Sequence, residues 1–292
     1  MHQELQHVLH STETGKPAGG RRAGCPFGRK EDIINTGENS SPGRDRGNRQ
    51  GKLYIVGIGP GGAGDRTRRA EEAIAQSQVV IGYTRYMRLI EDLTPGKETI
   101  STGMTQEIGR CRIALQRALA GATVALVSSG DPGVYGMAGL ALELSMDCDP
   151  KPAVEIVPGV TAAHAAAARM GAPLMLDYAV ISLSDLLVPW DMIVRRLEAV
   201  AGADLVTALY NPRSKNRVHQ LEEAVSIFRR YRASETPAGI GTALGTEQES
   251  IVIADLGNIL SYPVDMRSVV LIGNSSSKLM NNWFLTPRGY SL

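Results

Sequence analysis

The chain has little cysteine, few aromatic residues and no long apolar run, and each shortage narrows what it does. Its three cysteines, Cys25, Cys111 and Cys148, are far apart and form no CxxC pair. That spacing argues against a disulfide framework or a zinc site and fits a reducing cytosol. No apolar stretch approaches the ~20 residues that span a bilayer, and Met1-His2-Gln3-Glu4 lacks the apolar core of a secretory signal. The expectation is a cytoplasmic protein with no membrane partner. Charge is balanced, with 31 Lys and Arg against 30 Asp and Glu, a net charge of +1. No broad basic field therefore recommends nucleic acid as a partner. His2, His7, His10 and Cys25 have spacings that match no metal site, so no metal is expected.

What is present is a chain of 292 residues, 43% of them hydrophobic, enough for a large core and about two domains of roughly 120 residues. Residues 1 to about 50 stand apart: glycine, arginine, serine and asparagine dominate, and Phe27 is the sole aromatic. Such a composition predicts a disordered extension. From Lys52 onward, short β-branched runs alternate with helical stretches. Strands are expected over 53–58, 79–81, 123–127 and 154–157, with helices near 67–76, 105–120, 134–146 and 160–169. A second series follows, with strands near 179–183, 204–209, 237–241, 250–254 and 268–272 and helices near 190–201 and 214–231. Alternation of this kind predicts a parallel sheet covered on both faces. Gly245-Thr246-Glu247-Gln248 between two close strands predicts a hairpin, and so a mixed second sheet. The reading is α/β: two αβα domains, 51–172 and 173–292, joined near 171–178, with a ligand cleft between them.

Two glycine-rich loops follow predicted strands. Ser128-Ser129-Gly130-Asp131-Pro132-Gly133-Val134-Tyr135-Gly136 combines glycines that let backbone approach a ligand with a proline that stiffens the turn. Gly57-Ile58-Gly59-Pro60-Gly61-Gly62 has the GxGxxG spacing of a dinucleotide site. Such a site wants a carboxylate at the end of the second strand to hold the ribose, and here that strand ends Ile81-Gly82-Tyr83. Pro60 also lacks the N–H a pyrophosphate would use. A nicotinamide-dependent oxidoreductase and a purely structural turn remain alternatives at this point.

Taken together, four loops resemble the tetrapyrrole methylases: Val56-Gly57-Ile58-Gly59-Pro60-Gly61, Ser129-Gly130-Asp131-Pro132-Gly133-Val134-Tyr135-Gly136, Pro158-Gly159-Val160-Thr161-Ala162-Ala163 and Leu209-Tyr210-Asn211-Pro212-Arg213-Ser214. Ile81-Gly82-Tyr83, Ser101-Thr102-Gly103-Met104-Thr105, Ile181-Ser182-Leu183-Ser184-Asp185-Leu186 and Ile272-Gly273-Asn274-Ser275-Ser276 are similar to the ring-contracting members that act on corrin precursors. The resemblance covers about residues 52–280. It implies a two-domain fold, S-adenosylmethionine (SAM) as cofactor, a tetrapyrrole substrate in cobalamin biosynthesis (precorrin-3B or its cobalt form, methylated at carbon 17, the alternative being another tetrapyrrole intermediate) and a homodimer. Two positions depart from the pattern: Arg66 stands where an apolar residue is usual, and Leu176 where the ring-contracting members carry histidine. A pigment carrier that kept the fold without turnover is a third functional class.

By that resemblance Pro60, Gly130, Asp131, Val134, Thr161, Ala162, Tyr210, Asn211, Thr242 and Ala243 line the SAM pocket. Plainer roles compete: Thr161 as a helix cap, Tyr210 as core, and Asp131 bonded to its own backbone. The acidic rim of a tetrapyrrole needs cations, for which Arg85, Arg88, Arg110, Arg213, Lys215 and Arg217 are candidates. Ring contraction also moves a proton, and Asp131, Glu107 and Ser129 are the candidate groups. His164 and His219 have no evident partner in the sequence and are expected to be structural.

Overall fold

A computed structural model of the chain describes residues 51–215 and 217–291. The expected disordered extension lies outside the described residues. The first half contains β1 (Lys52–Gly57), β2 (Val79–Tyr83), β3 (Glu98–Thr102), β4 (Thr123–Ser128) and β5 (Ala153–Val157), with helices α1 (Arg68–Gln76), α2 (Thr84–Arg88), α3 (Glu107–Leu119) and α4 (Ala138–Met146). The strands form one sheet in the order β3-β2-β4-β1-β5, every pair parallel.

Alternation along β1 sends side chains to two covered faces. Leu53 and Ile55 pack with Cys111, Leu115 and Ala141 of α3 and α4, whereas Tyr54 and Val56 meet Ala70, Ala73 and Ile74 of α1. Central strands buried on both faces need unbroken apolar runs, which is why Val79-Val80-Ile81 read so plainly. Burial pushes the Cys111 thiol up to about 12, which keeps it protonated and unreactive. Thr67 caps α1 by accepting the Ala70 N–H at 3.1 Å. Just before it, Arg66 fills the place of the usual apolar residue: its guanidinium donates to Asp92 at 2.6 Å and 2.9 Å and to the Leu89 carbonyl at 2.6 Å. The helix expected from 134 begins only at Ala138, because 134–137 is turn with Tyr135 at φ +54°.

The second half contains α5 (Ala162–Met170), β6 (Gly171–Ala172), β7 (Tyr178–Ser182), α6 (Trp190–Gly202), β8 (Val206–Tyr210), α7 (Gln220–Arg229), β9 (Pro237–Thr242), β10 (Ser250–Asp255), β11 (Ser268–Ile272), β12 (Lys278–Met280) and β13 (Trp283–Leu285). Its main sheet runs β10-β9-β11-β8-β7 and is mixed: β7 and β8 are parallel, and the remaining pairs antiparallel. The expected hairpin joins β9 to β10, with Thr242 opposite Ser250. The helix expected over 214–231 is confined to Gln220–Arg229.

Helix α5 follows the last strand of the first sheet in sequence. α5 packs on the second sheet, its Ala163, Ala166 and Met170 against Ala208, Val269, Leu271 and Phe284. Glycines in β9 make room for it: a Cβ on Gly239 would collide with Met170 Sδ, and one on Gly241 would lie 3.0 Å from Ala166 Cβ. Helix α5 thus covers the second sheet although it precedes residues 171–178 in the chain. Helices α6 and α7 cover the opposite face through Ile193, Leu197, Leu221, Val225 and Phe228. Among the described residues no helix is long and apolar enough to cross a membrane.

Candidate functional site

Strands β1 and β4 are neighbours, yet the chain leaves β1 toward α1 on one face and β4 toward α4 on the other. A crevice opens where adjacent strands part in this way, and open α/β sheets bind ligands there. The turns that follow β1, β4 and β5 meet in it. Gly59 and Gly130 exchange backbone hydrogen bonds, Gly59 N–H to Gly130 O at 3.2 Å and Gly130 N–H to Gly59 O at 2.7 Å. A Cβ on Gly57 would sit 2.6 Å from Gly130 O and 2.7 Å from Gly159 N, so only glycine lets the three backbones close up.

Asp131 braces this junction. One carboxylate oxygen accepts the Gly133 N–H at 2.8 Å and the other the Gly159 N–H at 3.0 Å, which ties the turn after β4 to the turn after β5. The carboxylate proposed for proton transfer is thereby occupied with backbone donors. Asp131→Ala should lower stability by about 1.5–3 kcal/mol for a lost charged acceptor and weaken ligand binding in parallel, while Asp131→Asn keeps part of each. Chemical denaturation and ligand titration of the two variants measure both effects.

The second half contributes from the other side. From β8, the Tyr210 hydroxyl accepts the Ala163 N–H at 2.9 Å in the first turn of α5, and its ring lies 5.4 Å from that of Tyr135. Burial pushes both phenols above their ordinary value. Tyr135 in turn donates to the Val180 carbonyl of β7 at 3.2 Å, and Asn211 donates to Ser182 Oγ at 2.9 Å. Gly61 and Gly62 lie against Leu244 and Gly245, so close that a Cβ on either would collide with a carbonyl oxygen. Tyr135, Asn211 and Ala243 hold positive φ values of +54°, +52° and +49°. Non-glycine residues in this region cost energy and gather at functional sites, and these three border one crevice.

One space stays open in the crowd. A Cβ on Gly130, at φ +64°, would meet nothing nearer than Val160 O at 3.9 Å and Thr161 Cα at 4.0 Å. The turns after β4 and β5 therefore form a backbone cradle that leaves the Gly130 Cα uncrowded, unlike those of Gly57 and Gly159. Beside it lies a cavity of about 350 Å³, walled by Tyr135, Val180, Leu186, Leu187, Ile193 and Arg196.

The structure gathers Pro60, Gly130, Asp131, Val134, Thr161, Ala162, Tyr210, Asn211 and Ala243 on or beside these turns. Thr161 caps α5, accepting the His164 N–H at 3.2 Å. The Thr242 hydroxyl is engaged with Ser268 Oγ at 2.8 Å across the β9–β11 pair. Other assignments change. Arg110 is no rim cation: it is 2% exposed, donates to Thr102 Oγ1 at 2.7 Å and Gly103 O at 2.9 Å, and pins the turn after β3. His164 does have partners, Thr161 Oγ1 at 3.0 Å and the Tyr178 hydroxyl at 2.9 Å. Glu107 accepts the Thr105 N–H at 3.2 Å at the start of α3, and Ser129 sits half-buried where β4 enters its turn. Arg88 borders a separate hollow with Thr84, Glu91 and Ser101, and Arg85 is exposed on the same short helix. Arg213 and Lys215 are exposed. Arg217 is half-buried and donates to the Asn211 carbonyl at 2.9 Å, and burial lowers its guanidinium pKa. Sequence reasoning passed over Tyr135, although it stands inside a quoted motif, and Arg196, which no motif marks.

A family model for tetrapyrrole (corrin/porphyrin) methylases matches residues 52–260. The chain is 43% identical over 245 residues to the cobalt-factor III methyltransferase of Priestia megaterium, covering 82% of this chain but only 45% of that protein. It is also 43% identical over 240 residues to a probable cobalt-factor III C(17)-methyltransferase of Salmonella typhimurium, covering 82% of this chain and all of that one. The crystal structure of the methyltransferase CobJ superposes with a TM-score of 0.76 at 34% identity, over 81% of this chain and 100% of that one.

Proposed function

The chain belongs to the tetrapyrrole methylase family, and from that premise we propose that it transfers a methyl group from SAM to carbon 17 of precorrin-3B, or of its cobalt form, with ring contraction, in cobalamin biosynthesis. The observation that carries this reading is the backbone cradle beside Gly130, formed by the turns after β4 and β5, with Tyr210 of the second half bonded to the helix that follows. When bound, SAM supplies a methyl group already activated by its sulfonium. The residues here have only to hold two reactants in line, which is worth roughly 7–11 kcal/mol of barrier in favourable cases. Glycine turns locked by the Gly59–Gly130 pair and the Asp131 brace are suited to that task, because they leave little freedom at the reacting centre. The rings of Tyr135 and Tyr210, 5.4 Å apart, flank one side of the crevice.

The oxidoreductase alternative loses its structural basis. Gly59 spends both its N–H and its carbonyl on Gly130, Pro60 has no N–H to give, and β2 ends on Tyr83 with no carboxylate for a ribose. Homodimerisation and a cytoplasmic location are carried over from the family as part of the proposal. Incubation with methyl-labelled SAM and precorrin-3B, or cobalt-factor III, should give a labelled product with an altered absorption spectrum. Absence of label with a folded protein that binds the pigment would favour the carrier reading instead. Calorimetry should show S-adenosylhomocysteine binding and no response to NAD(P).

A further inference from the structure

The cavity beside the cradle presents a mostly apolar surface, broken by Ser182, Ser184 and Asn211, and Arg196 is the one cation among its lining residues. Val180 and Ile181 of β7, Val188 and Ile193 supply its walls, and Leu186 and Leu187 reach into solvent at its rim, 77% and 92% exposed. Two adjacent leucines this exposed leave a large apolar surface uncovered next to a ligand cleft. Arg196 of α6 borders the same space. Among the described residues its guanidinium has no carboxylate within 4.0 Å, its one hydrogen bond being to Met192 Sδ at 3.3 Å. The neighbouring Arg195 is instead paired with Asp191 at 3.5 Å. An unpaired guanidinium at the lip of an apolar slot suits a ligand that is flat and apolar in the middle and carboxylated at the edge.

We propose that this cavity seats one edge of the tetrapyrrole, with Leu186 and Leu187 against the macrocycle face and Arg196 receiving a peripheral carboxylate. The assignment rests on the function proposed above and adds to it a binding residue on the second sheet's side of the cleft. It places the macrocycle next to Tyr135, whose turn also forms the cradle, so the two reactants share one wall.

Uroporphyrin III, a stable tetrapyrrole with acetate and propionate groups around its rim, is the probe. Its binding to the full chain is followed by fluorescence quenching, and S-adenosylhomocysteine binding is measured on the same samples. Arg196→Ala should weaken porphyrin binding by about tenfold or more, as the loss of a hydrogen bond to a charged group does, and leave S-adenosylhomocysteine affinity unchanged. Arg196→Lys should recover part of the loss, since it keeps the charge without the bidentate fork. Arg195→Ala should match the unaltered chain. Equal porphyrin affinity in the unaltered chain and Arg196→Ala would overturn the proposal, and so would an equal loss in Arg195→Ala, which would reveal a general charge effect. A chain that binds S-adenosylhomocysteine but no porphyrin would overturn the cavity assignment alone. A chain that binds neither would overturn the proposed function beneath it.

Discussion

Gly130→Val is expected to abolish S-adenosylhomocysteine binding, with affinity falling at least ~100-fold, or ~2.8 kcal/mol, in a chain that still folds. Two effects act together. Gly130 sits at φ +64°, a region that costs an L-residue about 1–2 kcal/mol and a β-branched residue more. The valine methyls would also fill the space between the turns after β4 and β5, where the first protein atoms around a Cβ are 3.9 Å and 4.0 Å away. Gly130→Ala separates the two. Its Cβ meets only ordinary contacts within the protein, so it carries most of the backbone strain but little of the bulk. Its melting temperature should lie near that of the valine variant while its affinity lies between valine and glycine. Calorimetric titration beside thermal melts gives both numbers. Full affinity in a folded Gly130→Val chain would mean that the cofactor lies elsewhere.

The cradle could be read from the sequence because its chemistry is backbone chemistry. Gly57, Gly59, Gly130, Pro132 and Gly159 state their conformational needs in their identity, and their positions after apolar runs fixed the strand ends. The central strands were legible for the same reason, since a strand buried on both faces must be apolar throughout. Glu98-Thr99-Ile100-Ser101-Thr102 escaped notice as β3 because an edge strand is covered less and alternates with polar residues. The short β6, β12 and β13 have too few residues to show a period. The alanines of α5 announced a tightly packed helix but not which sheet receives it; that follows from Gly239 and Gly241, about 70 residues further along.

Charged side chains were the hardest to place. Arg110 and Arg196 look alike as letters on amphipathic helices. One turns inward to satisfy Thr102 and Gly103 and the other faces an apolar cavity, a difference made by loops distant in sequence. His164 finds Tyr178 fourteen residues away, across the crossing from α5 to β7.

Gly159→Ala should be the more damaging glycine replacement for stability. The Cβ would stand 2.8 Å from the Gly57 carbonyl carbon and closer still to the Gly130 oxygen. Both obstacles are main-chain atoms of the sheet's central turns, so no rotamer change relieves the clash and the turn after β5 must back away. That movement pulls Gly159 N–H from the Asp131 carboxylate and loosens the Gly59–Gly130 pair, so steric, hydrogen-bond and brace energies are lost together. Overpacking on this scale costs about 3 kcal/mol or more, which for a chain of this size lowers the melting temperature by roughly 6–12 °C. Gly109→Ala in α3 is the matched control: nothing lies within 4 Å of its Cβ, and alanine favours the helix by about 0.5–1 kcal/mol. Thermal melts should therefore move in opposite directions for the two replacements. If Gly159→Ala melts with the unaltered chain, the three turns are not in backbone contact, and the cradle between them does not exist as described.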